Sequence, residues 1–300
     1  MMRIVVLLAL AFLFGGVAAG DEMAAVPAAV ISDPAPDLDH PASSAQVLVP
    51  SHGKEMNGLI YLAAGAGPHP TLVLLHGFPG NEQNLDLAQA ARRAGWNVLT
   101  MHYRGSWGSP GTFSIAHVLE DGDAAVAFVR RSDIAERFGI DRDRIVLAGH
   151  SMGGFASASH ARKDGALLGV ALIDAWNVGG TGARLNQVPP AARRPKAEKA
   201  FNDLGHSLKG ATPSSVAAEI VAHRAEWNYL DWASALTGPP VLVIGAERGL
   251  GKDNDALAAK IAAAGGKVTA VTMPTDHSFN DHRIALAAQL IGWLQALPAR

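Results

Sequence analysis

The 300-residue chain contains no cysteine. That excludes disulfide bonds, thiolate metal centres, a thiol nucleophile and a lipidated N-terminal cysteine. It does not fix the compartment, because exported proteins can also do without disulfides. Charge is scarce as well. Only 17% of residues are charged and the net charge is −2, with one short basic cluster at Arg193-Arg194-Pro195-Lys196. Nucleic-acid binding therefore has no electrostatic footprint. The phosphate-cradling patterns G-x-x-x-x-G-K-[ST] and G-x-G-x-x-G are missing, which argues against a nucleotide cofactor. The zinc pattern H-E-x-x-H is missing too, despite 12 histidines, so neither metal nor cofactor is expected.

Long apolar runs are also lacking once the first 20 residues are passed. At the start, Met1-Met2-Arg3 forms a short basic region and residues 4–14 are apolar and uncharged. Small residues follow at Gly15-Gly16-Val17-Ala18-Ala19-Gly20, with Val17 and Ala19 suited to the −3 and −1 positions of a cleavage site. The segment is short for a membrane span and reads as a secretory signal peptide over 1–19. An uncleaved N-terminal anchor is the alternative. The expected location is secreted or periplasmic, with no membrane association after cleavage.

What is present is core-forming sequence. A hydrophobic content of 49% indicates a globular protein with a large interior. Residues 20–42 are Ala- and Pro-rich and read as a linker, leaving 43–300 as one folded unit. Within it, β-like and helical segments alternate. Strands are predicted at 46–49 and 57–63 (an edge hairpin), then at 71–75, 97–102, 144–148, 169–173, 240–245 and 267–273. Helices are predicted at 82–94, 120–138, 255–264 and 283–297. Continuous β-branched runs between helices imply a parallel sheet covered on both faces, an α/β fold of mostly parallel strands. The alternation breaks over about 176–238, which reads as a helical cap inserted over the C-terminal edge of the sheet.

One turn stands out. Gly149-His150-Ser151-Met152-Gly153 follows the apolar run 144–148 and opens a small-residue helix. A G-x-S-x-G turn between strand and helix holds its serine on a strained elbow, hydroxyl exposed above the sheet. Gly205-His206-Ser207-Leu208-Lys209 lacks both the closing glycine and the strand, and reads as a polar loop. A serine nucleophile needs a base, and the base needs an orienting acid. His277, after the last predicted strand and before the last helix, is the candidate base, ahead of His282; His150 adjoins Ser151 and should point away.

For the acid, Glu247 lies nearest the end of the strand at 240–245. Asp253 and Asp174 are the alternatives, Asp174 standing at the end of the preceding strand. An oxyanion needs backbone donors. The N–H groups of Met152, directly after Ser151, and of Phe78, in the turn His76-Gly77-Phe78-Pro79-Gly80, are the candidates.

In order and position, His76-Gly77-Phe78-Pro79-Gly80, Gly149-His150-Ser151-Met152-Gly153-Gly154 and Asp276-His277-Ser278 resemble the motifs of the α/β-hydrolase superfamily over about residues 45–300. Tyr103-Arg104-Gly105-Ser106-Trp107-Gly108-Ser109-Pro110-Gly111 is similar to a turn of prolyl-oligopeptidase-like hydrolases. The resemblance implies an eight-stranded sheet, a Ser-acid-His triad and acyl transfer to water without metal or cofactor. The chain departs from the pattern at the acid. Relatives commonly carry Gly-x-x-Asp, where this sequence has Gly245-Ala246-Glu247-Arg248.

The expected activity is hydrolysis of small carboxylic esters, with short peptides as the other substrate class. A non-catalytic binding protein built on the same pocket, a prolyl-oligopeptidase-like peptidase and a metal hydrolase are the competing readings. Trp107, Trp176, Trp227 and Trp232 could line an acyl pocket, although the last two are spaced to pack a helix.

Overall fold

The computed structural model describes residues 26–202 and 207–298. The predicted signal peptide lies outside the described residues. Eight strands form one sheet: β1 (Ser43–Ser51), β2 (Lys54–Leu62), β3 (His69–Leu75), β4 (Asn97–Met101), β5 (Ile140–His150), β6 (Gly169–Ile173), β7 (Val241–Arg248) and β8 (Val268–Asp276). Their spatial order is β1-β2-β4-β3-β5-β6-β7-β8. The β1–β2 hairpin pairs antiparallel and joins β4 antiparallel; every other pairing is parallel. His52 and Gly53 turn the hairpin with φ of 46° and 72°, the left-handed backbone that a two-residue hairpin favours.

Helices connect the strands: α1 (Ala28–Ile31), α2 (Leu85–Arg93), α3 (Ile115–Arg130), α4 (Ser132–Phe138) and α5 (Met152–Ala161). Between β6 and β7 lie α6 (Val178–Asn186), α7 (Pro190–Ala200), α8 (Pro213–Ala222) and a 3-10 helix at Tyr229–Leu236; α9 (Gly251–Ala263) and α10 (Arg283–Ala296) complete the chain. Successive side chains of a strand point to opposite faces, and the central strands use both faces for apolar packing. Leu72 and Leu74 of β3 pack with Leu87 of α2 and Leu290 and Ile291 of α10. Val73 and Leu75 pack on the other face with Val118 of α3 and Phe155 of α5. Each such fully buried Leu or Val stabilises the fold by about 1.5–3 kcal/mol relative to exposure.

Three segments differ from expectation. The helix predicted at 120–138 is two helices, α3 and α4, because Arg131 adopts extended backbone (ψ 138°) between them. The stretch read as a linker carries α1, whose Ala29 carbonyl accepts from Arg93 Nε at 2.6 Å and whose Ala29 and Val30 pack on the α2–α10 cluster. The insertion over about 176–238 ends not in one α-helix but in α8 followed by the 3-10 helix.

The insertion is tied to the body at the start of α3. There Glu219 of α8 accepts from the N–H groups of Ile115 (2.9 Å) and Ala116 (3.0 Å), while Ser114 caps His117 N–H at 3.1 Å. These are the orphan donors of a helix N-terminus, and a carboxylate suits the positive end of the helix dipole.

Candidate active site

The elbow between β5 and α5 is built by close backbone packing. Ser151 has φ 55° and ψ −115°, a strained conformation for a residue with a Cβ. Its N–H donates to Ile173 O at 2.9 Å, and its carbonyl accepts from Trp176 N–H at 2.9 Å. A Cβ at Gly149 would lie 2.2 Å from the carbonyl of Gly153, and one at Gly153 would lie 2.1 Å from Leu75 O. Both glycines are therefore required by space. Gly153 in particular lets the start of α5 press against the end of β3, which brings Met152 next to the turn at residues 76–80.

That turn has its carbonyls tied down. Tyr103 Oη donates to His76 O (2.9 Å), His76 Nδ1–H to Gly77 O (2.7 Å) and Trp107 Nε1–H to Pro79 O (2.8 Å). In a trans peptide the N–H points opposite to the preceding carbonyl. Fixing Gly77 O on His76 therefore fixes the direction of the Phe78 N–H, away from the His76 ring. The His76 ring is buried against Tyr103 and His102, and its Nε2 has no hydrogen-bond partner among the described residues. Burial lowers its pKa to about 4, against the partly opposing bond to Gly77 O and with the help of nearby His102.

His277 follows β8, and its Nδ1–H donates to Asp174 Oδ2 at 2.6 Å. That leaves Nε2 as the ring's free acceptor. Asp174 is fully buried at the end of β6, with φ 40°. Besides His277, its carboxylate accepts from Ala246 N–H (2.9 Å) and from Leu250 N–H (2.9 and 3.1 Å to its two oxygens). Gly249 makes room: a Cβ there would lie 2.2 Å from Asp174 Oδ2.

His150 does not point away. Its Nε2–H donates to His277 O at 2.8 Å, and its ring packs on the His277 ring at 4.6 Å between centroids. Burial, then the neighbouring His277, lowers the His150 pKa to about 4, so it stands neutral beside the His277 ring near neutral pH. No hydrogen bond joins Ser151 Oγ to His277 in this structure, although the two residues are neighbours through His150.

The acid expected from sequence is corrected here. Glu247 is exposed and lies inside β7, which runs to Arg248, past the predicted end of that strand. The buried run of β7 ends at Ala246, and Glu247 and Arg248 at the end of the strand are both exposed. Asp253, in the first turn of α9, has Arg184 at 3.9 Å as its charged neighbour, and His282 pairs with Asp281. Of the three candidate acids, Asp174 is the one bonded to His277. The end of β7 and the loop after it supply backbone donors to Asp174 rather than a carboxylate to His277.

Sequence reasoning missed Asn254. Fully buried, it accepts from Ala175 N–H (2.9 Å) and donates to Ala175 O (3.1 Å), bracing the turn that carries Asp174. Its only sequence signal is an amide side chain three residues inside a helix start, where such residues usually face solvent. Tyr229 Oη adds a bond to the same carbonyl at 3.1 Å. Of the four tryptophans considered, Trp227 and Trp232 are buried against Phe155 of α5. Trp176 and Trp107 keep exposed surface near the elbow.

Residues 72–289 match the model of the alpha/beta hydrolase family. The chain belongs to that family. Among solved structures, it is similar to the Pyrobaculum calidifontis esterase, with 19% identity, 87% of this chain and 88% of that chain covered, and a TM-score of 0.64. A thermophilic, thermostable carboxylesterase cloned from a metagenomic library gives 22% identity, 90% and 92% coverage, and a TM-score of 0.62. The Pyrococcus horikoshii acylaminoacyl peptidase gives 14% identity and a TM-score of 0.61, covering 85% of this chain but 42% of that one. At these identities the likeness is one of fold. No curated protein sequence matches the chain significantly.

Proposed function

We propose that this protein is a serine hydrolase of carboxylic esters, with Ser151, His277 and Asp174 as its triad. The observation that carries the reading is the 2.6 Å bond from His277 Nδ1–H to the fully buried Asp174, beside a serine held on a strained elbow. Membership of the alpha/beta hydrolase family and a fold shared with two esterases support it.

In this mechanism Ser151 Oγ attacks the ester carbonyl carbon while His277 Nε2 takes the hydroxyl proton. The N–H groups of Phe78 and Met152 donate to the oxyanion of the tetrahedral intermediate. The bond to the leaving oxygen then breaks, and His277 returns the proton to the departing alcohol. A water molecule, deprotonated by His277, attacks the acyl-serine; the C–Oγ bond breaks and Ser151 recovers its proton. Asp174 holds the imidazole in the Nδ1–H tautomer, which keeps Nε2 available as base, and stabilises the imidazolium. We further propose that residues 1–19 direct export and are removed, which N-terminal sequencing of the secreted product checks.

The test is hydrolysis of p-nitrophenyl acetate and butyrate by the wild type, Ser151→Ala, Asp174→Asn and Glu247→Gln, with fluorophosphonate labelling in parallel. The expected result is loss of turnover and labelling in Ser151→Ala. Asp174→Asn should fall roughly 10³–10⁴-fold in kcat, whereas Glu247→Gln stays within about threefold. A wild type that neither turns over nor labels overturns the reading and favours a binding protein.

A further inference from the structure

Four aromatic rings converge next to the elbow. Phe78, beside the proposed oxyanion donor, meets Phe113 at 5.9 Å, Phe201 at 5.8 Å and Trp176 at 6.4 Å between centroids; Trp176 meets Phe201 at 6.2 Å. Trp176 is anchored to the nucleophile's own backbone, its N–H on Ser151 O, and its indole N–H donates to Thr181 Oγ1 at 2.7 Å. Phe201 directly follows α7, so the inserted helices supply the last ring. Such centroid distances are those of rings in contact. A methylene chain about 4 Å thick does not pass between them.

The direction of this cluster follows from the two faces of the sheet. Phe113 and Phe201 belong to the apolar cluster on the α3–α5 face, with Phe78 and Trp176 packed against it. His150 and His277 approach from the opposite side: the His150 ring contacts Phe279, which belongs to the α2–α10 cluster. The imidazole must stand next to the leaving oxygen to protonate it. The acyl substituent therefore points the other way, toward the rings.

On the serine hydrolase reading above, we infer that Phe201 is a specificity-determining residue that closes the acyl side of the site against Phe78 and Trp176. The enzyme's substrates are then esters of short acyl groups, acetyl to butyryl, with the larger part of the molecule on the alcohol side. Phe201 is buried, whereas Phe78 and Trp176 are only half-buried. The exposed parts of those two rings are the surface left for a compact acyl group.

The experiment is a chain-length series of p-nitrophenyl esters (acetate, butyrate, octanoate, laurate) with the wild type, Phe201→Leu and Phe201→Ala. The wild type is expected to lose at least ~10-fold in kcat/KM between butyrate and octanoate. In Phe201→Ala the octanoate-to-acetate ratio of kcat/KM should rise at least ~10-fold, with Phe201→Leu between the two. The ratio is taken on one preparation, so any fraction that fails to fold cancels. An active wild type that favours octanoate or laurate, or a ratio that Phe201→Ala leaves unchanged, overturns this inference and leaves the hydrolase reading standing. A wild type inert on every ester and unlabelled by fluorophosphonate overturns both.

Discussion

At the scale of single residues, two buried histidines couple the elbow to pH. His76 and His150 both have pKa values lowered to about 4 from 6.5. The unfolded chain therefore takes up two protons near pH 6.5 that the folded chain refuses until about pH 4. Where the unfolded state binds more protons, stability rises with pH. The stability these neutral imidazoles contribute is thus present above pH 6.5 and drains away as pH falls toward 4. The size is on the order of 3 kcal/mol for each ring, a large part of the total for a marginally stable fold. Urea denaturation at stepped pH should give a midpoint that drops steeply across this window, and less steeply in His150→Asn.

The residues of the candidate site mark how far the sequence could be read. Ser151 and His277 could be picked out as candidates because each sits in a local pattern: a glycine-flanked turn after an apolar run, and a histidine between the last strand and the last helix. The carboxylate bonded to His277 was harder to pick out, because its position depends on the neighbouring strand. Asp174 and Glu247 both follow buried runs, and choosing between them requires knowing that β7 continues three residues further and leaves Glu247 exposed. Local sequence carries alternation but not the length of a strand at its exposed end. The role of His150 was misjudged for a similar reason, since its partner lies 127 positions away.

At the scale of elements, the order and type of the strands and of most helices could be read from periodicity, since buried parallel strands and amphipathic helices leave strong patterns. The break between α3 and α4 could not, because Arg131 is no helix breaker and only packing imposes its extended backbone. Glu219 shows how the inserted helices are held. It accepts two backbone donors of α3, so Glu219→Ala strands both N–H groups and should cost about 1–2 kcal/mol. Glu219→Gln, which keeps an acceptor, should cost less. Thermal unfolding checks both. Limited proteolysis within the insertion should speed up in Glu219→Ala, because the two lost bonds tie α8 to α3.

At the scale of the whole molecule, the sheet order has a kinetic consequence. The elbow needs β3 beside β5 and β6 beside β5, while His277 arrives only with β8, at the far end of the parallel block. Each of these pairings closes a long loop before it gains a hydrogen bond, which makes such topologies slow to fold. Helices such as α3 and α10 form from local contacts alone and need not wait. During refolding from denaturant, far-ultraviolet circular dichroism should therefore recover well before activity, and fluorophosphonate labelling of Ser151 should track activity rather than helicity. A chain that joins Ser151, Asp174 and His277 only when β8 docks completes its candidate site last, so on the serine hydrolase reading proposed above a half-made molecule has no competent nucleophile.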